Sequence, residues 1–267
     1  MAEQVVADAR STLLFLLNSA GRKSRTAPIR TSFVGIPVMP EGGRGARTRP
    51  GPMAALVKRH DATALDLYLL LMALASAEPY DVTRDARFFA RALDLKDGRG
   101  RFNTGAISKA WARLERQNLI TRARKGRVAS ITPRLESGEG SEADKYTPPS
   151  GANGDYYLRV PFDYWLTGDP TLHERLTLPE KAMLLISLAR LKNEFRLTAA
   201  NAARWYGVSQ ETAQRGLQGL VEKKVLGRRR ERRAAPEAPE GFTIDTYYSL
   251  TGAFRLPKRV ATDQAAR

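Results

Sequence analysis

The stretch 205–221, WYGVSQETAQRGLQGLV, contains the side chains with the most specific chemistry in the chain. Read as a helix that starts after Ser209, it gathers Ala213, Gly216, Leu217, Leu220 and Val221 on one apolar face at helical spacing. Glu211, Arg215 and Gln218 turn the opposite way, with Gln210 and Gln214 on the flank. Together with the Ser209 hydroxyl, these groups carry the donors and acceptors that can hydrogen-bond base edges in a major groove. Just upstream, Ala203 is small where two helices must approach, Gly207 suits a left-handed turn, and Ser209 can cap the helix that follows.

A second stretch, 103–119, fits the same template less sharply. Ile107, Trp111 and Leu114 make its apolar face, and Thr104, Ser108, Lys109 and Arg113 point outward. The turn before it, KDGRGR at 96–101, is long and basic, which favours phosphate contacts over base reading. Each stretch is followed by a cluster of cations: Arg122, Arg124, Lys125 and Arg127 after the first, and Arg228, Arg229, Arg230, Arg232 and Arg233 after the second. Such density suits a projecting hairpin that reaches a phosphate backbone or a minor groove.

Charge balance agrees with a polyanionic partner. The 267 residues carry 44 Lys and Arg against 28 Asp and Glu, a net charge of +16. Chemistry of other kinds is poorly served. With no Cys there is no disulfide framework, thiolate zinc site or iron–sulfur cluster. The two His, His60 and His173, are far apart, and His173 is expected to be exposed beside Glu174 and Arg175. No phosphate-binding loop, dinucleotide fingerprint or metalloprotease motif occurs, so catalysis, a cofactor and a metal are not expected. Trp111, Trp165 and Trp205 lie among apolar neighbours and read as core. No apolar run reaches membrane-spanning length, and the first residues lack a signal-peptide pattern, which together imply a cytoplasmic protein that makes no membrane contact.

The elements that must position these residues follow from periodicity and punctuation. Residues 1–57 read as a largely irregular N-terminal arm with a short amphipathic helix, since 21–52 hold six Gly and five Pro. Residues 58–134 read as helices over 60–77, 84–93 (capped by Thr83) and 104–117, then strands over 119–123 and 127–132. Residues 135–155 carry a net charge of −4 and a Gly/Ser/Pro composition, the signature of a flexible linker. Residues 156–255 repeat the plan behind an extra strand at 156–160, with helices over 177–190, 199–206 and 209–223 and a hairpin from 225–229 and 242–250. Residues 256–267 read as a disordered tail.

On these residues the 205–221 stretch resembles the helix-turn-helix of bacterial winged-helix DNA-binding proteins. The order of the 156–161 strand, the LTLPEKA segment at 176–182 and the helix-turn-helix is similar to plasmid replication initiators. The resemblance implies a mainly α fold with small β-wings (α+β): two winged-helix domains joined by a flexible linker. It implies a double-stranded DNA-binding protein of the bacterial cytoplasm, associated with nucleoid or plasmid. A sequence-specific transcriptional regulator is the first reading, a plasmid or mobile-element replication initiator the second, and a protein–protein adaptor the third. A homodimer through the N-terminal arm or the first domain is a further expected partner.

Overall fold

The computed structural model describes residues 7–38, 47–126, 128–141 and 145–256. The N-terminal segment forms α1 (Ala9–Ser19), β1 (Thr26–Arg30), β2 (Gly35–Val38), β3 (Arg47–Pro50) and α2 (Pro52–Lys58). Asp8 caps α1 by accepting from Ser11 N, and Leu13, Leu16 and Leu17 bury its inner face. Pro52 opens α2 at a position where a missing N–H costs nothing.

The first repeat follows as α3 (Ala62–Leu74), β4 (Val82–Thr83), α4 (Ala86–Ala92), α5 (Thr104–Arg116), β5 (Ile120–Lys125) and β6 (Val128–Pro133), with sheet order β4-β6-β5. α3 is buried from Ala64 through Ala73 on nearly every side, as its run of leucines requires. α4 is capped by Asp85, whose carboxylate accepts from Arg87 N; Thr83 lies in β4 instead, which leaves Arg84 outside the helix.

The second repeat contains β7 (Tyr157–Pro161), α6 (Asp163–Leu166), α7 (Leu172–Arg175), α8 (Leu178–Ala189), β8 (Glu194–Arg196), α9 (Ala199–Tyr206), α10 (Gln210–Glu222), β9 (Leu226–Ala234) and β10 (Phe242–Leu250). Its sheet order, β8-β10-β9, matches that of the first repeat: short strand, hairpin return strand, hairpin outer strand. Thr177 and Glu180 close a reciprocal capping box at the start of α8, with Pro179 in the first turn.

The expected mainly α architecture of two winged-helix domains on a flexible linker is not what the chain adopts. It is an α+β molecule with ten α-helices and four small antiparallel sheets among its described residues, packed around one continuous hydrophobic core. Two features account for the difference. The N-terminal segment is structural: β1 pairs antiparallel with β7 over Thr26↔Pro161 to Arg30↔Tyr157, so it supplies a strand to the far half of the chain. The acidic stretch is anchored as well. Glu136 is fully buried and pairs with Arg30 at 2.7 Å, Asp155 meets the same guanidinium at 2.5 Å, and Tyr146 is buried. Asn118 donates to the carbonyls of Gly138 and Gly140, which fixes the backbone between them. A linker composition without apolar periodicity has been fastened by charge and amide groups.

Candidate nucleic-acid interface

The α9–α10 turn is built from backbone requirements. Thr198 caps α9 through Asn201 N, and the Gly207 N–H closes the helix on Ala203 O at 3.0 Å. Gly207 takes φ +67°, and a Cβ there would stand 2.7 Å from the Pro50 ring of β3. Both facts demand glycine, so the left-handed turn also serves as the dock for the N-terminal segment. Ser209 then caps α10, accepting from Thr212 N at 3.0 Å.

α10 presses Ala213, Gly216, Leu217, Gly219 and Leu220 against the body. A Cβ at Gly216 would meet the Pro179 carbonyl and Met183 of α8, and one at Gly219 would meet the Glu180 carboxylate. The glycines therefore set how closely α10 lies on α8. Opposite them, Gln210, Glu211, Gln214, Arg215 and Gln218 are all exposed. Glu211 and Arg215 approach to 3.6 Å and Gln218 donates to Glu222 at 2.9 Å; both are surface contacts that a ligand can exchange cheaply. The structure thus brings the six residues singled out in this stretch onto one exposed ridge.

Beside that ridge runs a long hairpin whose two faces are electrostatically sorted. The register pairs Arg228 with Tyr248, Arg230 with Thr246 and Arg232 with Ile244 on one face, and Arg229 with Tyr247, Glu231 with Asp245 and Arg233 with Thr243 on the other. The second face is internally neutralised: Arg229 pairs with Glu194 and Glu231, and Asp245 with Arg196 and Arg233. The first face has no carboxylate partner for Arg228, Arg230 or Arg232 among the described residues. Its arginines lie among Tyr248, Ile244 and Phe242, and Arg232 stacks over the Phe242 ring at 4.6 Å. At its root this face carries the buried Leu226 and Leu250, so it is the core-facing side of the hairpin, extended beyond the body. Ile244, 54% exposed, marks where the protein stops covering it.

The first repeat shows this division only in part, because Arg122 is paired with Glu115 of α5. Ile120 and Ile131 bury one face of β5–β6, and Arg122 and Arg124 continue that face outward. These arginines, together with Thr104 and Ser108 of α5, line a groove of about 470 Å³. Arg84 and Arg87 line it too, and sequence reasoning missed them because it placed the start of α4 before Asp85. Lys109 is exposed on α5. Arg113 turns back to form a two-pronged pair with Asp61 at the start of α3, and Lys125 lies on the opposite hairpin face, 2.7 Å from Asp81. Hydrogen bonds from Lys125, Ser130 and Thr83 hold the Asp81 carboxyl down at about 2. Arg127 lies outside the described residues.

His173 corrects another expectation. It is 4% exposed, with Nδ1 2.7 Å from the Thr171 hydroxyl, and burial with Lys181 nearby lowers its pKa to about 4. Of the tryptophans, Trp111 and Trp165 are core, whereas Trp205 is half-buried under the Arg190 guanidinium at 5.6 Å. Among the described residues no cluster of three or more His, Asp or Glu could hold a metal, and no helix is long and apolar enough to cross a membrane. No family model, curated protein sequence or solved structure matches this chain.

Proposed function

We propose that this protein binds double-stranded DNA, with α10 in the major groove and the Arg228, Arg230 and Arg232 face of β9–β10 on the adjoining backbone or minor groove. The observation that carries this reading is the charge sorting of the hairpin. Carboxylates neutralise one face, and the other keeps Arg228, Arg230 and Arg232 without a carboxylate partner among the described residues, next to a ridge of amide and guanidinium groups. A solvated basic loop has no reason to segregate its acids in this way, whereas a surface shaped for phosphates does. The groove lined by Arg84, Arg87, Arg122 and Arg124 gives a second backbone contact. Because the α10 ridge carries both donors and acceptors, the binding is sequence-specific, and regulation of transcription is the role we assign.

The test is selection from random duplex DNA at about 150 mM salt, followed by sequencing. We expect a defined motif, and Arg215→Ala or Gln214→Ala should relax one position of it at a cost of about 1–3 kcal/mol. Selected sites arranged as direct repeats would move the role to replication initiation. An absence of enrichment, with affinity that vanishes as salt rises, would overturn sequence-specific binding and leave a protein-docking adaptor.

A further inference from the structure

The β5–β6 hairpin has a cavity of about 600 Å³ on the side away from its arginine groove. Thr121 and Thr132, directly opposed across the two strands, form one wall, and they lie on the hairpin face that Arg122 and Arg124 do not share. The remaining walls come from the 78–80 turn and from the anchored 145–147 segment. Tyr80 and Tyr146 meet there edge to face, with ring centroids 5.4 Å apart and planes at 80°. Tyr80 holds φ +60°, an expensive conformation for an aromatic residue, and its N–H is tied to Ala77 O at 2.7 Å. Two cations share the lining. Arg134 is 8% exposed and anchored through Nη2 on the Gly140 and Ser141 carbonyls, and Lys145 is exposed with no carboxylate partner among the described residues. Among the described residues the one carboxylate in the lining is Glu78.

The volume is that of a small-ligand site, and its chemistry has three parts: an aromatic corner, a pair of cations with three threonine hydroxyls, and the Glu78 carboxylate. We propose that the cavity binds a nucleoside monophosphate. The base lies against Tyr80 and Tyr146 with an N–H edge toward Glu78, and the phosphate is held by Lys145, Arg134 and the threonine hydroxyls. The proposal does not depend on the DNA-binding reading, since ligand and DNA would occupy opposite faces of one hairpin.

The full-length protein is titrated calorimetrically with AMP, GMP, CMP and UMP, and in parallel with inorganic phosphate and salicylate. We expect saturable binding of at least one nucleotide with Kd between about 10 µM and 1 mM. Lys145→Glu, an exposed change that leaves the fold intact, should weaken it about tenfold or more. Tyr80→Ala should do the same, and Arg84→Ala in the opposite groove should leave it unchanged. Three results overturn the proposal: no saturation by any nucleotide at about 5 mM, equal binding of phosphate or salicylate, or affinity indifferent to Lys145→Glu.

Discussion

Two ion pairs reveal how single residues fix the exposed helices. In the first repeat Arg113 of α5 grips Asp61, the cap of α3; in the second Lys223, at the end of α10, grips Glu180, the capping-box glutamate in the first turn of α8. In both, a basic side chain of the outward helix is bound to the start of the central one, so Arg113 positions α5 where a surface reading would give it a DNA contact. The exposed residues of α10 were legible in the sequence because helical spacing alone separates Gln214 and Arg215 from Leu217. His173 was not, because its burial depends on neighbours outside its own helix, the Thr171 hydroxyl and the Tyr164 ring of α6. A buried neutral imidazole sets a pH dependence. The unfolded chain takes up a proton near pH 6.5 and the folded chain only near 4, so stability is complete above about 6.5 and declines as pH falls toward 4. The loss is on the order of 3 kcal/mol. Urea denaturation at pH 7 and pH 4.5 should show a clear drop for the native chain and a much smaller one for His173→Asn; equal drops would remove His173 as the cause.

At the scale of elements, α10 owes its seat on α8 to two glycines. In an exposed helix, replacing glycine by alanine stabilises by roughly 0.5–1 kcal/mol. At Gly216 the sign reverses, because the added methyl would press into the Pro179 carbonyl and the Met183 side chain. Gly216→Ala should cost about 1–3 kcal/mol of stability, measured by urea unfolding, and should lower DNA affinity by tilting the α10 ridge. A neutral or stabilising outcome would mean that the two helices have room to part. This close approach was legible only as a small-residue face. Neither β1 nor its partner was legible: the Gly- and Pro-rich composition of 21–52 reads as irregular, and nothing local points to β7 more than a hundred residues away. Residues 135–155 misled for a related reason. Loop composition describes what a segment does alone, and Glu136 is held by a guanidinium contributed from β1.

For the molecule as a whole, the decisive contact is the one between repeats. Lys181 on α8 reaches Asp66 on α3, with Nζ at 2.8 and 2.6 Å from the two carboxylate oxygens, and both side chains are largely buried. Glu180, its neighbour in sequence, holds Lys223 of α10, so one turn of α8 joins the first repeat to the exposed helix of the second. If α10 and the α5 groove act on one DNA molecule, this junction fixes their separation, and the two contacts add without the entropy loss of a flexible tether. The pair can be tested thermodynamically. Lys181→Met leaves a carboxylate buried without its cation, and Asp66→Asn leaves the ammonium in the same position, so each should cost about 3–5 kcal/mol. The double variant removes both charges together and should cost clearly less than the two singles combined, with the difference read as a coupling energy from urea midpoints. Additive losses would mean that the two side chains are solvated independently and that the repeats are joined by apolar packing alone.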